Sequence, residues 1–302
     1  MTPREPGSSF AARIVRGRGR EPVGVSPLAG VVNAVFRVWG PDFDWVVRFP
    51  VDPSRPDEFP LEEWALGAAR RAGIRVPDVV GSGLLDGVAF LVLDYIEPAV
   101  ADPENPWSWL GRYAHAVSRV PLAGAPDAVF SRFGRDLPAA WHAHLVYNLD
   151  LLDDHDPLLH DGGYSAKQQP VLRALLTELG AARFEHGLAH GDLAPRNLIS
   201  RGPTEAPVLL DWGTASVGPA PWTDLQQVYQ WAVHDQTVTR AALVHFAAAA
   251  GLPLTDDTER MLVRLTVLRF LDLARWARER RPDLYPDYLA ACAAGVHAAL
   301  HA

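Results

Sequence analysis

Three polar side chains break an otherwise apolar stretch, "LAHGDLAPRNLI" at 188–199: His190, Asp192 and Asn197. A carboxylate in an apolar frame needs a partner or a task. Downstream, "LLDWG" at 209–213 supplies a second carboxylate, Asp211. Leu198 to Ser200 and Val208 to Asp211 read as short strands flanking the Gly-Pro loop "RGPTEA". Asn197 and Asp211 lie equally far from Thr204 at the centre of that loop. If the strands pair, these two residues end side by side, with Cα atoms roughly 5 Å apart. Asp192 sits one loop upstream, so two carboxylates and an amide oxygen converge. Hard oxygen donors of this kind suit Mg²⁺, which takes one or two carboxylates and fills its shell with water and phosphate oxygens.

The elements that position these groups divide the chain into two parts. "GVVNAVFRV" alternates, with Ala34, Phe36 and Val38 on one face and Val35 and Arg37 on the other. "WVVRF" at 45–49 follows a Gly-Pro turn, which predicts a hairpin. Residues 61–72 predict a helix with Leu61, Ala65, Ala68 and Ala72 inward and Gly73 as its stop. "GVAFLVLDYI" at 87–96 predicts a central apolar strand. Beyond a linker near 97–106 helical patterns dominate. Residues 168–184 predict a helix with a stripe of Val171, Leu172, Leu175, Leu176 and Leu179, and the chain from Trp222 predicts three or four more. The expected division is a strand-rich lobe over 1–97 and a mostly helical lobe over 98–302.

"HGDLAPRN" followed by "LLDWG" resembles the catalytic loop and metal-binding motif of the aminoglycoside phosphotransferase family, within the protein-kinase-like superfamily. "SPLAGVVNAVFRV" resembles that family's phosphate-covering loop, "LEEWALGAARRAGIRVP" its N-lobe helix, "FLVLDYIEP" its hinge strand, and "VGPAPWTDLQQ" its closing segment. Together they cover about residues 26–230. The resemblance implies an α+β, bilobal kinase-like fold: an antiparallel sheet plus helix, then a mostly helical lobe. It implies that Asp192 orients an acceptor hydroxyl and takes its proton as the γ-phosphate is attacked. Asn197 and Asp211 would hold Mg²⁺. Backbone of Ala29, Gly30, Val31 and Val32 would cover the phosphates, and that of Asp94 and Ile96 would bind adenine. Glu62 would pair with the basic residue of the third strand, since it flanks the apolar stripe while Glu63 points outward. Asp224 would brace the catalytic loop, and His190 would pack beneath it.

The departure from the family pattern is Arg48, which stands where a Lys is common; the chain's one Lys is Lys167. An Arg can bind phosphate with a planar fork and still pair with Glu62. Arg48 is therefore expected to replace the Lys functionally.

The remaining features bound the function. At 302 residues, 48% hydrophobic and 21% charged, the chain is a folded globular protein. No apolar run approaches the ~18 residues of a membrane span, and "MTPREPGSSF" has no secretory h-region. A net charge of -8 argues against nucleic-acid binding and is compatible with a cationic substrate. A cytoplasmic monomer is expected, with no membrane or nucleic-acid partner. "RIVRGRGR" at 13–20 reads as an arm before the first strand, "GSGLLDG" at 81–87 as a turn, and the acidic stretch 150–161 as a solvated loop. His142 and His144 of "WHAH" diverge on a helix and read as structural. Cys292, the single cysteine, reads as a small buried hydrophobe.

The expected function is ATP- or GTP-dependent phosphorylation of a small-molecule hydroxyl, with an aminoglycoside or related antibiotic as the first choice of acceptor. Choline, homoserine, sugars and macrolides are the family's other acceptors, and a non-catalytic nucleotide binder is the remaining alternative. A protein substrate is disfavoured: only 12 residues separate Asp211 from Asp224, too few for a long activation segment, and Ala194 stands where protein kinases commonly carry a Lys. The acceptor pocket is expected among the C-terminal helices, with Asp235 and Asp272 as candidate partners for amines.

Overall fold

The computed structural model describes residues 7–30, 32–52 and 57–301. The chain opens with α1 (Gly7–Arg16) and a run of strands, β1 (Gly24–Leu28), β2 (Asn33–Gly40) and β3 (Phe43–Pro50). Then come α2 (Phe59–Arg71), β4 (Val79–Leu85) and β5 (Val88–Asp94). These strands form one antiparallel sheet in the order β1-β2-β3-β5-β4. The chain continues through α3 (Pro106–Val117), α4 (Leu137–Leu151), α5 (Pro157–Asp161), α6 (Gln169–Ala181) and β6 (His186–Ala189). After β7 (Leu198–Ile199), β8 (Val208–Leu209) and β9 (Ser216–Pro219) it ends in α7 (Trp222–Val233), α8 (Arg240–Ala249), α9 (Asp256–Arg280) and α10 (Tyr285–His301). One compact unit comprises Met1–Glu104, Pro121–Asp127 and Arg196–Ala215; the other comprises Asn105–Val120, Ala128–Pro195 and Ser216–Ala302.

In the first unit, alternation decides the faces. Ala34, Phe36 and Val38 of β2 join Val47 and Phe49 of β3 and Val92 of β5 in one apolar cluster. α1 covers that cluster with Ala11, Ile14 and Val15. Residues 13–16, expected to be an arm, therefore form the last turn of a helix. Arg13 and Arg16 in its last turn give the segment the look of a basic tail, although Ala11, Ile14 and Val15 share its buried face. Gly7 is required where the helix starts, because a Cβ there would lie 2.8 Å from the Phe36 ring. α2 begins with Pro60 in its first turn, the place where a missing N–H is harmless, and stops at Gly73, whose φ of 82° suits glycine. Ala72, expected on the buried stripe, is exposed. The "GSGLLDG" segment is mostly strand: β4 runs to Leu85, and only Asp86 and Gly87 make the turn. The β7–β8 hairpin also belongs to this unit, tied to it by Leu209 N–H donating to Arg75 O at 2.9 Å.

In the second unit, β6 pairs with β9. α4, α6, α9 and α10 share a core that includes Leu145, Leu172, Leu176, Leu271 and Val296. Val171, expected on the α6 stripe, faces solvent instead; Leu172, Leu176 and Leu179 are buried and Leu175 packs beside them, as the 3.6-residue period requires. The acidic stretch is not simply a solvated loop. Asp156 is buried, caps α5 through Leu158 N–H at 3.0 Å, and accepts from Arg275 Nη2 at 2.6 Å and Tyr164 Oη at 2.8 Å. Among the described residues no helix is long and apolar enough to cross a membrane.

Candidate active site

Arg48 is placed by the register of the sheet, opposite Val35 of β2 and Leu91 of β5. Its Nη1 meets the Glu62 carboxylate of α2, and its Nη2 donates to Asp211 Oδ1 at 3.2 Å. Glu62 is 2% exposed and also accepts from the Trp212 backbone. Glu63, one residue on, accepts from Ser82 Oγ instead. Burial works against the Arg48 charge, but Glu62 and Asp211 outweigh it and hold its pKa above the ordinary guanidinium value. The guanidinium fork offers a separate nitrogen, with a fixed N–H direction, to each carboxylate.

The hairpin carrying Asn197 and Asp211 pairs one residue out of the expected register. Leu198 faces Leu209 and Ile199 faces Val208, so Leu210 N–H donates to Asn197 O at 2.9 Å and Asp211 lies one residue beyond. The connecting loop has an even number of residues, which moves the centre off Thr204. Asp211 has φ 62°, a left-handed conformation that Asp tolerates better than most residues. It turns the chain out of β8 and leaves the Asp211 carboxylate half exposed while Trp212 is fully buried, its Nε1 donating to Leu209 O at 3.3 Å. Asn197 is buried.

Ala29 and Gly30 are exposed in the turn between β1 and β2. A Cβ on Gly30 would lie 2.3 Å from Asn33 O, so the turn needs glycine. Val32 is exposed, and Val31 lies outside the described residues. After β5, Asp94 N–H is engaged by Asp78 O and Tyr95 N–H by Asp44 O, each at 2.9 Å. Ile96 has no backbone hydrogen-bond partner among the described residues. Arg37 stacks 3.8 Å from the Tyr95 ring centroid and forks onto Asp44 at 2.9 and 2.6 Å. This clamp on the hinge was not anticipated from sequence, although alternation puts Arg37 on the Val35 and Arg48 face.

In the second unit β6 delivers the 190–192 loop. Gly191 takes φ 81°, a conformation that a side chain would strain. Asp224, at the start of α7, accepts from Gly191 N–H at 2.8 Å and His190 N–H at 3.2 Å. Burial pushes the Asp224 carboxyl up to about 6, with those two N–H groups opposing and Asp192 adding to the rise. His190 is fully buried, and its Nδ1 accepts from Asp192 N–H at 3.3 Å. Asp192 O closes the turn by accepting from Ala194 N–H at 3.0 Å. The loop thus holds Asp192 with backbone bonds and a buried brace.

Asp235 is exposed just past α7. Asp272 of α9 is already engaged: its Oδ1 accepts from Asn148 Nδ2 and contacts His144 Nε2, both at 2.9 Å. Asp272 and His144 line a cavity of about 370 Å³ within this unit, together with Trp141, His186, Gln226 and Arg269. Trp141, His186 and Arg269 had no assigned role from sequence; their only signal is being polar atoms on otherwise apolar helix and strand faces.

The profile of the phosphotransferase enzyme family matches residues 24–262. A probable ketoamine kinase of Staphylococcus aureus is 30% identical over 185 residues, 56% of this chain and 61% of that protein, so less than two thirds of the relative is matched. Among solved structures, the GDP and kanamycin complex of APH(2")-IIia superposes with a TM-score of 0.63 at 17% identity, covering 95% of this chain and 97% of the other. A thermostable variant of aminoglycoside phosphotransferase APH(4)-Ia, in ternary complex with AMP-PNP and hygromycin B, also gives 0.63, at 15% identity with 96% and 98% covered. At such identities the likeness establishes the fold, a protein-kinase-like α+β architecture.

Proposed function

Because the chain belongs to the phosphotransferase enzyme family, we propose that it transfers the γ-phosphate of ATP or GTP to a hydroxyl of a small molecule. The observation that carries this reading is the loop 190–192, where a buried Asp224 and two backbone N–H bonds fix Asp192 in place. A carboxylate held this way can orient a hydroxyl and take its proton as it attacks. A non-catalytic nucleotide binder has no use for such a brace.

The first unit supports the nucleotide half of the reaction. Arg48 would hold phosphate oxygens through Nη2, exchanging its contact to Asp211, while Glu62 keeps Nη1 in place. Ile96, with its backbone groups unengaged by described residues, and the Asp94 carbonyl would meet the purine, and the Gly30 turn would lie over the phosphates. Asn197 and Asp211 offer an amide oxygen and a half-exposed carboxylate, a hard-oxygen set that fits Mg²⁺. When bound, Mg²⁺ supplies charge neutralisation at the phosphate oxygens.

Two acceptor classes have support. An aminoglycoside, the first expectation from sequence, draws on the kanamycin and hygromycin B complexes of proteins with this fold. A sugar-type acceptor draws on the likeness to a probable ketoamine kinase. The test of the reaction itself is nucleotide consumption with and without acceptors, repeated for Asp192→Ala. Acceptor-dependent turnover that vanishes in the variant is expected; equal turnover in both proteins would remove Asp192 from the mechanism.

A further inference from the structure

The cavity of the second unit, about 370 Å³, is lined neither by Asp192 nor by any other residue of the 190–197 loop. Its occupant is therefore a ligand in addition to the acceptor that Asp192 would orient. The size lies within the range of small-molecule pockets. The walls are mostly apolar, with Phe130, Leu137, Trp141, Val217, Leu265 and Leu268 among them.

One charge on these walls is unanswered. Arg269 of α9 makes no hydrogen bond and no ion pair among the described residues. Its Nε is sealed inside the fold, whereas both terminal nitrogens keep accessible surface, and the residue lines the cavity. Arg48 is the internal contrast. Burial is the largest influence on both guanidinium groups. At Arg48 two hydrogen-bonded carboxylates outweigh it, and the pKa rises. At Arg269 the unbonded Asp272, Tyr288 and Asp235 do not, and the pKa falls. A guanidinium carries five N–H donors and no acceptor, and it stays charged, so a partly buried one without a partner is costly.

The missing counter-charge is not Asp272. That residue is the one carboxylate of the lining, and its Oδ1 is already engaged by Asn148 Nδ2 and His144 Nε2, both at 2.9 Å. Arg132 and Arg269 both add positive potential around it. A cation drawn to Asp272 would meet Arg269 as well, an unfavourable contact. An anion instead finds an open fork whose geometry matches a carboxylate. Asp272, one turn on from Arg269, limits that anion to a single charge, because a dianion would be repelled by it.

We propose that this cavity binds a small monocarboxylate with an apolar body, its carboxylate forked on the terminal nitrogens of Arg269 and its body against Leu137, Trp141, Leu265 and Leu268. Calorimetry on the full chain, without nucleotide, tests it with 3-phenylpropionate and octanoate as probes and 3-phenylpropylamine as the opposite charge. Neither acid carries a hydroxyl and no phosphate donor is present, so the result is independent of the kinase reading. At least one acid should bind saturably and the amine should not. Arg269→Met keeps the stem and deletes the fork. It should weaken that acid about 10- to 100-fold, as loss of a hydrogen bond to a charged group does. It should also unfold at the same or a higher urea concentration than wild type, because the charge removed has no partner to lose. Arg269→Lys should retain part of the affinity. Binding of neither acid, equal binding of the amine, or acid binding unweakened in Arg269→Met overturns the assignment. So does an Arg269→Met protein that unfolds at lower urea, since the guanidinium would then have a partner within the fold.

Discussion

Replacing Arg48 by Met leaves the hydrophobic stem and removes the charge that neutralises Glu62. Glu62 is 2% exposed, and Arg48 is its charged partner. A carboxylate stranded at such a site takes up a proton rather than remain charged. Protonating a carboxyl of ordinary pKa near 4.3 at pH 7 costs about 3.7 kcal/mol, within the ~3–5 kcal/mol seen when a buried pair loses one member. The Asp211 contact adds no more than about 1 kcal/mol, because Asp211 is half exposed. The sign follows from linkage. Burial holds the Glu62 pKa above its ordinary value even beside Arg48, and losing Arg48 raises it further, so the variant's native state binds the extra proton. Stability is then retained at acid pH and lost as pH rises above about 4.3. Urea unfolding should show Arg48→Met less stable than wild type by about 3–4 kcal/mol at pH 7 and by about 1 kcal/mol at pH 5. Adding Glu62→Gln to the variant should recover most of the loss at pH 7. A loss below about 1 kcal/mol at pH 7, or one that does not shrink at pH 5, refutes the buried-pair reasoning.

Asp224 carries a second pH signature. Its folded pKa of about 6 exceeds the unfolded value, so its contribution weakens stability as pH rises through the window from about 4 to 6. Relative to wild type, Asp224→Asn should therefore gain about 2 kcal/mol between pH 4 and pH 7, read as the difference of two denaturation series; parallel series contradict the burial account. Asp211→Asn should change unfolding stability by less than about 1 kcal/mol yet weaken Mg²⁺-nucleotide binding at least about 10-fold in calorimetry; unchanged binding removes it from the metal site. Gly111→Ala should lower stability by about 1–3 kcal/mol, because the added Cβ would lie 2.2 Å from Phe246 O where α3 meets α8; a neutral outcome means those helices are free to part.

Where periodicity was long and punctuated, the sequence sufficed. The β2–β3 hairpin, α2 and β5 follow from alternation, a stop at Gly73 and a continuous apolar run. Short elements and long-range partners were obscured. α1 spans ten residues and its basic half looks like a tail, although its apolar residues share one face that packs on Phe36 and Phe49. The β7–β8 register shifted by one because it depends on loop parity, which residue types do not encode. Asp156 looked like one acid among many, since its partner Arg275 lies 119 residues away. For the same reason Arg269, Trp141 and His186 carried no local signal: a cavity wall is assembled from distant segments. The motif residues were easier to single out because they fall in short loops, where their types stand out against apolar flanks.

Asp192-dependent phosphoryl transfer to a small-molecule hydroxyl is tested most directly by mass spectrometry of an acceptor panel of aminoglycosides, neutral sugars and sugar amines, incubated with Mg²⁺ and ATP or GTP. A mass gain of one phosphate is expected on at least one acceptor with wild-type protein and none with folded Asp192→Asn. The same phosphorylated product formed at an undiminished rate by Asp192→Asn would contradict it.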